Sequence, residues 1–379
     1  MVIAVDPPIA AGQRRIRLSL TLSRYLARQV LIGILAILLA LGTVAFVIDV
    51  VEHLRRASGK DEATFGMVLL MALLHQPFLL QKLIPFATLF GTIFSFQRLT
   101  RSQELVAARA SGVSVWQFLA PALFVAAGLG VVTVVAFNPL GSAMVARYEK
   151  LEQTILSSRA SLVQVAAGGL WLRQDEGERE YLIHARQMTR QPPVLERVVI
   201  FIYEDEVRFA GRIDAPSARL EAGQWVLDEP LVSGPDGKRS SEKRLVIATD
   251  LTPDRIQESF AAPETLSFWN LPAFIDSLEA VGFSAREHRL YWHGLLALPL
   301  LLSAMLLIGT TFSLRLTRRG GTSLLVMGGL GAGFLFYIMS DVVFAIGLSG
   351  RLPVILAAWT PAGIAILLGV TTLLHLEDG

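Results

Sequence analysis

Few residues in this chain of 379 could do chemistry, and most of them stand alone. Cysteine is absent, so neither a disulfide framework nor a thiolate-ligated metal is available. His288 and His293 are five residues apart, which puts them on different faces of a helix and argues against a metal pair. Asp49, His53 and Asp341 are candidate acid–base groups for an intramembrane enzyme acting on lipids, but no paired constellation joins them in the sequence. No P-loop is present: Gly237-Lys238 and Gly59-Lys60 lack the upstream glycine that cradles phosphate. H-E-x-x-H and the G-x-S-x-G nucleophile elbow are also missing. The expectation is a chain with no catalytic residue, bound cofactor or resident metal, which would depend on a separate ATPase if it pumps.

What remains is charge placed for binding. The segment Arg98–Ser114 sets Arg101, Glu104 and Arg109 beside Leu105 and Val106. Its alanines favour a short helix that Ser102 can cap and Gly112 can end. Such a mixture suits either insertion into a partner's groove or a plain solvated connector, and the residues leave both open. Arg55, Arg56 and Lys60 form a second basic group, with Lys82 and Arg147 as further single cations. Asp341 sits deep in an apolar run, as a cavity-lining group or as an aspartate hydrogen-bonded between packed helices, with Ser340 as a candidate partner, and the second reading is the expectation. In the same run, Gly329 and Gly333 form a small-xxx-small pair suited to close helix packing.

The elements that must carry these groups follow from hydropathy. Hydrophobic residues make up 53% of the chain and charged ones 17%, with a mean hydropathy of +0.53. Spanning ~30 Å of hydrocarbon takes about 20 largely apolar residues. Six stretches qualify: Val30–Ile48, Leu79–Phe96, Val115–Phe137, Leu295–Leu314, Leu324–Leu348 and Val354–Leu374. The first is too long for a signal-peptide core and lacks a small-x-small cleavage site, so it reads as an uncleaved span. Arginines flank one side: Arg14, Arg15, Arg17, Arg24 and Arg28, then Arg98, Arg101 and Arg109, then Arg315, Arg318 and Arg319. By the positive-inside rule that side is cytoplasmic, with both termini. The near-zero net charge of +2 gives no support to a nucleic-acid partner.

Between the third and fourth spans the composition becomes that of a soluble domain. Short runs rich in β-branched and aromatic residues recur at Gly169–Arg173, Tyr181–Ala185, Val198–Tyr203, Val207–Leu220, Trp225–Val232 and Arg244–Thr249. Turn signals separate them, which predicts an antiparallel β domain of sandwich or jelly-roll type on the far side of the membrane. Leu271–Gly282 reads as a helix returning to the bilayer. The expected division is 1–148 (three spans and the cytoplasmic helix), 149–285 (the β domain) and 286–379 (three more spans).

This order of three spans, β domain and three spans resembles the LptF/LptG permeases of the lipopolysaccharide export system. Glu104-Leu-Val-Ala-Ala-Arg-Ala-Ser-Gly-Val-Ser114 looks like that family's coupling helix. Asp49-Val-Val-Glu-His-Leu-Arg-Arg56, Gly169-Leu-Trp171 and Leu251-Thr-Pro-Asp254 are similar to its G-type subunits. The resemblance implies a bacterial inner-membrane ABC permease subunit that extracts lipopolysaccharide from the outer leaflet and pairs with a homologous LptF-like subunit. It implies a cytoplasmic LptB-like ATPase dimer, which holds the ATP and magnesium and docks on Arg101, Glu104, Leu105 and Arg109. A bitopic LptC-like protein and a periplasmic LptA-like bridge would receive the lipid. Arg55, Arg56 and Lys60 match basic positions at the mouth of the family's cavity. Two departures stand out: Asp49 replaces a basic residue of some G-type subunits, and Phe78 replaces a lysine, with Lys82 or Arg147 as compensating charges. Other lipid or lipoprotein ABC permeases, an intramembrane lipid enzyme and an ion-driven transporter are the alternatives. The three-plus-three order, the lack of a paired site and the folded β insert speak against them in turn.

Overall fold

A computed structural model describes residues 20–58, 64–110, 114–155, 163–166, 169–176, 179–190, 193–204, 208–221, 223–249, 251–252, 256, 260–313 and 322–378. The arginines at 14, 15, 17, 315, 318 and 319, together with Lys60 and Gly112, lie outside that set.

Among the described residues, six helices are long and apolar enough to cross a membrane. They are α1 (Leu20–Ala57), α2 (Phe65–Arg101), the continuous helix α4–α5, then α7 (Arg286–Ser313), α8 (Thr322–Leu348) and α9 (Val354–Asp378). Between α2 and α4 lies the short α3 (Glu104–Ala110). Helix α4 (Val115–Val132) passes through a π turn at Thr133–Phe137 into α5 (Asn138–Ile155). Ser114 starts α4 with a reciprocal capping box to Gln117. Several helices outrun their apolar cores. Helix α2 begins fourteen residues before the predicted span, with Thr64 accepting from the Met67 amide as its N-cap.

Close helix crossings rest on small residues. A Cβ placed on Gly91 of α2 would lie 2.5 Å from the Ile34 Cα of α1, so the two backbones nearly touch there. Gly329 and Gly333 pack α8 onto Ile93 and Leu89 of α2, the close-packing role expected of the pair.

Ten strands form one antiparallel sheet between α5 and the fourth span. They are β1 (Val163–Ala166), β2 (Gly169–Glu176), β3 (Arg179–Ala185), β4 (Gln187–Arg190), β5 (Pro193–Glu204), β6 (Arg208–Glu221), β7 (Gln224–Asp228), β8 (Leu231–Ser233), β9 (Arg239–Ser241) and β10 (Arg244–Ala248). The two longest strands organise it. β5 pairs with β3 along Val199–Glu204 and with β4 along Pro193–Glu196, while β6 pairs with β7 and β8 along different halves. The run Trp225–Val232 proves to be two strands, because Glu229 takes a positive φ of 47° ahead of Pro230 and stops the ladder. Trp225, Leu170, Leu172, Ile183 and Leu195 are among the residues filling the sheet's core.

The sheet and the bundle are riveted by α6 (Leu271–Ala280). Leu271 is buried in the bundle core, whereas Ile275 and Leu278 are buried in the sheet core, and Trp292 of α7 packs against both. Asn138, 1% exposed, adds a polar tie. Its Oδ1 accepts from the Phe268 amide at 2.7 Å, and its Nδ2 lies 3.3 Å from the Tyr291 hydroxyl and 3.4 Å from Gln81 Oε1.

The α1–α2 contact makes a direct prediction. Gly91→Val forces a branched side chain against the α1 backbone and should destabilise the chain by about 1–3 kcal/mol. Gly128→Ala, with no neighbouring atom within 4 Å, should leave the melting temperature in detergent unchanged or slightly raised. Equal melting of the two variants would refute the crossing.

Candidate functional site

Two polar sites sit at opposite ends of the crossing helices. The first lies where α1 ends, α2 begins and α5 heads toward the sheet. Arg55 Nη2 donates to Glu52 Oε1 at 2.8 Å and its Nε to Oε2 at 3.0 Å, a forked pair along one helix turn. Arg56 Nε donates to the same Glu52 at 2.9 Å, and its Nη1 reaches Glu152 of α5 at 3.3 Å. Both guanidinium groups are therefore held by acids of the chain itself, and both stay open to solvent, with side chains 76% and 51% exposed. Lys82 is exposed on α2, its ammonium 4.2 Å from the centre of the Phe78 ring. Arg147 is exposed on α5.

Beneath those arginines the structure gathers three groups that the sequence leaves apart. His75 Nδ1, from α2, lies 3.0 and 3.1 Å from the two oxygens of Asp49 on α1. His53 Nε2, one turn along α1, lies 3.3 Å from Asp49 Oδ2. Tyr148 of α5 covers the pair, stacking on His75 at 4.7 Å and lying 5.4 Å from His53, while Phe78 closes the other side of His75. The expectation that nothing pairs with Asp49 or His53 is thus corrected. Their i, i+4 spacing on a helix was the available signal, since such residues share a face. His75 escaped notice because it precedes the apolar run of its span.

The second site is the turn from α2 through α3. Gln103 adopts φ 61° and breaks the long helix. Ser102 ends α2, its backbone amide reaching the Arg98 carbonyl and its Oγ lying 3.1 Å from that oxygen, so it caps the preceding helix and not the start of α3. Glu104 is exposed at the first position of α3, accepts from Ser102 Oγ at 2.9 Å, and interacts with the Tyr25 side chain of α1. Arg101 is exposed as well, and Arg109 lies in the last turn of α3. Leu105 differs from expectation: it is 3% exposed and packs in the bundle core with Phe96, Leu99 and Phe118. A seven-residue helix has too few internal bonds to hold itself, so one face must be anchored, and Leu105 is the anchor.

Asp341 also departs from its expected setting. It lies on an exposed face of α8 and engages Tyr337 one turn earlier, and Ser340 Oγ has no hydrogen-bond partner among the described residues. His288 Nε2 donates to the Ala261 carbonyl at 3.0 Å.

Comparison with known proteins gives a consistent outcome. The family model described as lipopolysaccharide export system permease LptF/LptG matches residues 24–375. The lipopolysaccharide export system permease protein LptG of Escherichia coli K12 is 24% identical over 365 residues, covering 93% of this chain and 98% of that protein. The LptG protein of Haemophilus influenzae is 21% identical over 347 residues, covering 90% and 95%.

The α3 geometry separates packing from surface display. Leu105→Ala should cost about 2–4 kcal/mol by leaving a cavity in the core, whereas Glu104→Ala should change stability by no more than ~0.5 kcal/mol. Thermal melts of both variants check this, and a destabilised Glu104→Ala would mean that the carboxylate holds the fold.

Proposed function

The chain belongs to the lipopolysaccharide export permease family LptF/LptG, and from that premise we propose that it is the non-catalytic permease subunit of an ABC transporter that lifts lipopolysaccharide from the outer leaflet of the bacterial inner membrane. The observation that carries the reading furthest is the placement of α3. Glu104 is displayed at the tip of α2 and α3, held there by the buried Leu105, at the end of the bundle opposite the β-sheet. In this reading an ATPase dimer receives α3 in a groove, and Glu104 meets a partner arginine in a charge-assisted hydrogen bond. Arg101 and Arg109 flank the contact. Because Leu105 joins α3 to the core beside Phe96 and Phe118, a push on the helix reaches α2 and α4 without passing through a loose linker. ATP and magnesium belong to the partner, and the work they release enters here.

A homologous second permease is the natural occupant of the open faces of α1 and α8. In their most apolar windows only 17% and 11% of residues are buried, against 61% in α7. Asp341 on that face of α8 is costly against lipid and gains by facing a partner or a shared cavity. Arg55 and Arg56 stand at the end of α1, where lipid A phosphates would arrive, and Lys60, Lys82 and Arg147 are further candidate contacts. A phosphate can take the guanidinium fork from Glu52, since both ligands accept the same parallel hydrogen bonds. The lipid would then pass along the β domain to LptC-like and LptA-like acceptors in the periplasm.

Glu104→Ala should lower ATP hydrolysis by the assembled complex at least tenfold, or abolish co-purification of the ATPase, while the permease stays folded. An intact, fully active complex would defeat the docking role. A photoreactive residue at position 55 should capture lipopolysaccharide in living cells, and capture of phospholipid alone would remove the substrate assignment.

A further inference from the structure

The geometry points to a divalent metal site at Asp49, His53 and His75, which we propose binds Zn²⁺ and clamps the ends of α1 and α2 together. One donor atom from each residue lies within 4.8 Å of the other two. Two of the separations, 3.1 Å from His75 Nδ1 and 3.3 Å from His53 Nε2 to the same Asp49 Oδ2, already approach the ~3.4 Å edge of a tetrahedron with bonds of ~2.1 Å. Two imidazoles and one carboxylate are a common donor set for zinc and leave a coordination position open for water or an oxyanion.

A second, independent observation favours a ligand. His53 is 3% exposed, and its Nε2 faces the Asp49 carboxylate at 3.3 Å without completing a hydrogen bond, while Nδ1 has no partner among the described residues. A buried imidazole so poorly satisfied is costly, and a metal at Nε2 would give that nitrogen a full partner. Nearby groups are placed as a shell rather than as competitors. The Tyr148 side chain hydrogen-bonds with Glu152 and turns its ring face to both histidines, while Glu52 is committed to Arg55 and Arg56. Asp49 and His75 remain partly open, with side chains 12% and 19% exposed, so an ion has a way in. Since the donors come from two helices separated in sequence by the 58–64 connection, loading the site would fix the spacing of α1 and α2 at the end nearest the sheet.

The test uses the full chain in mild detergent, stripped with chelator and titrated with Zn²⁺ by calorimetry and with Co²⁺ by visible absorption. One saturable site is expected, with the d–d bands of a nitrogen- and oxygen-ligated Co²⁺ and a zinc-dependent rise in melting temperature. Asp49→Asn, which keeps the side-chain shape, and His75→Ala should each weaken binding by at least about a hundredfold, beyond the typical loss from removing an outer-shell partner. His184→Ala and His288→Ala should bind as the parent does. No saturable binding by the folded parent, or equal binding by Asp49→Asn, overturns the proposal.

Discussion

The near-contact of two backbones, Gly91 of α2 against Ile34 of α1, holds both polar sites of this molecule in place. Where two helices touch that closely they cannot slide or roll independently, because each added atom would meet main chain. Toward the sheet, the crossing delivers His75 to Asp49 and Arg56 to Glu152. At the other end it brings Tyr25 to Glu104 and lets Leu105 reach the core. Helix α2 is also the surface on which Gly329 and Gly333 seat α8. One packed helix therefore links the displayed α3, the basic rim and the open faces of α1 and α8.

The linkage has a mechanical consequence. A force applied at α3 has a short rigid route to α2, and α2 bears on α1 and α8. The sheet is joined to the same bundle at the Leu271 end of α6 and through Asn138, which sits just past the π turn of the third span. A π turn leaves backbone carbonyls poorly paired, and here the Trp269 indole donates to Val135. Bundle movement and sheet movement are thus coupled by buried side chains instead of by covalent connection alone.

Much of this frame was legible in the sequence, since crossing a membrane demands long apolar runs and a β-sheet leaves alternating branched residues between turns. The sites were less so. Hydropathy marks the part of a helix inside hydrocarbon, and α2 starts about four turns before that part, in the stretch where His75 lies. Arg55 and Arg56 stand out as a basic group, but that Glu52 is their shared hydrogen-bond partner depends on side-chain geometry that charge counting does not contain. Leu105 stands in a short polar segment, and its burial is decided by α2 and α4, which a local reading does not contain. The cost of a charge in lipid points Asp341 inward, yet it lies on an exposed face beside Tyr337, because a local reading cannot tell which face of an apolar helix its neighbours cover.

The frame has six apolar helices, displays the short α3 on one side, carries a β-sheet on the other and leaves α1 and α8 largely uncovered, and in the proposed reading it is half a pump. Purification of the intact chain from native membranes in mild detergent tests that claim most directly. The account predicts recovery of a complex that contains an ATPase and a second six-span homologue. A chain recovered alone, folded and with neither partner, would contradict it.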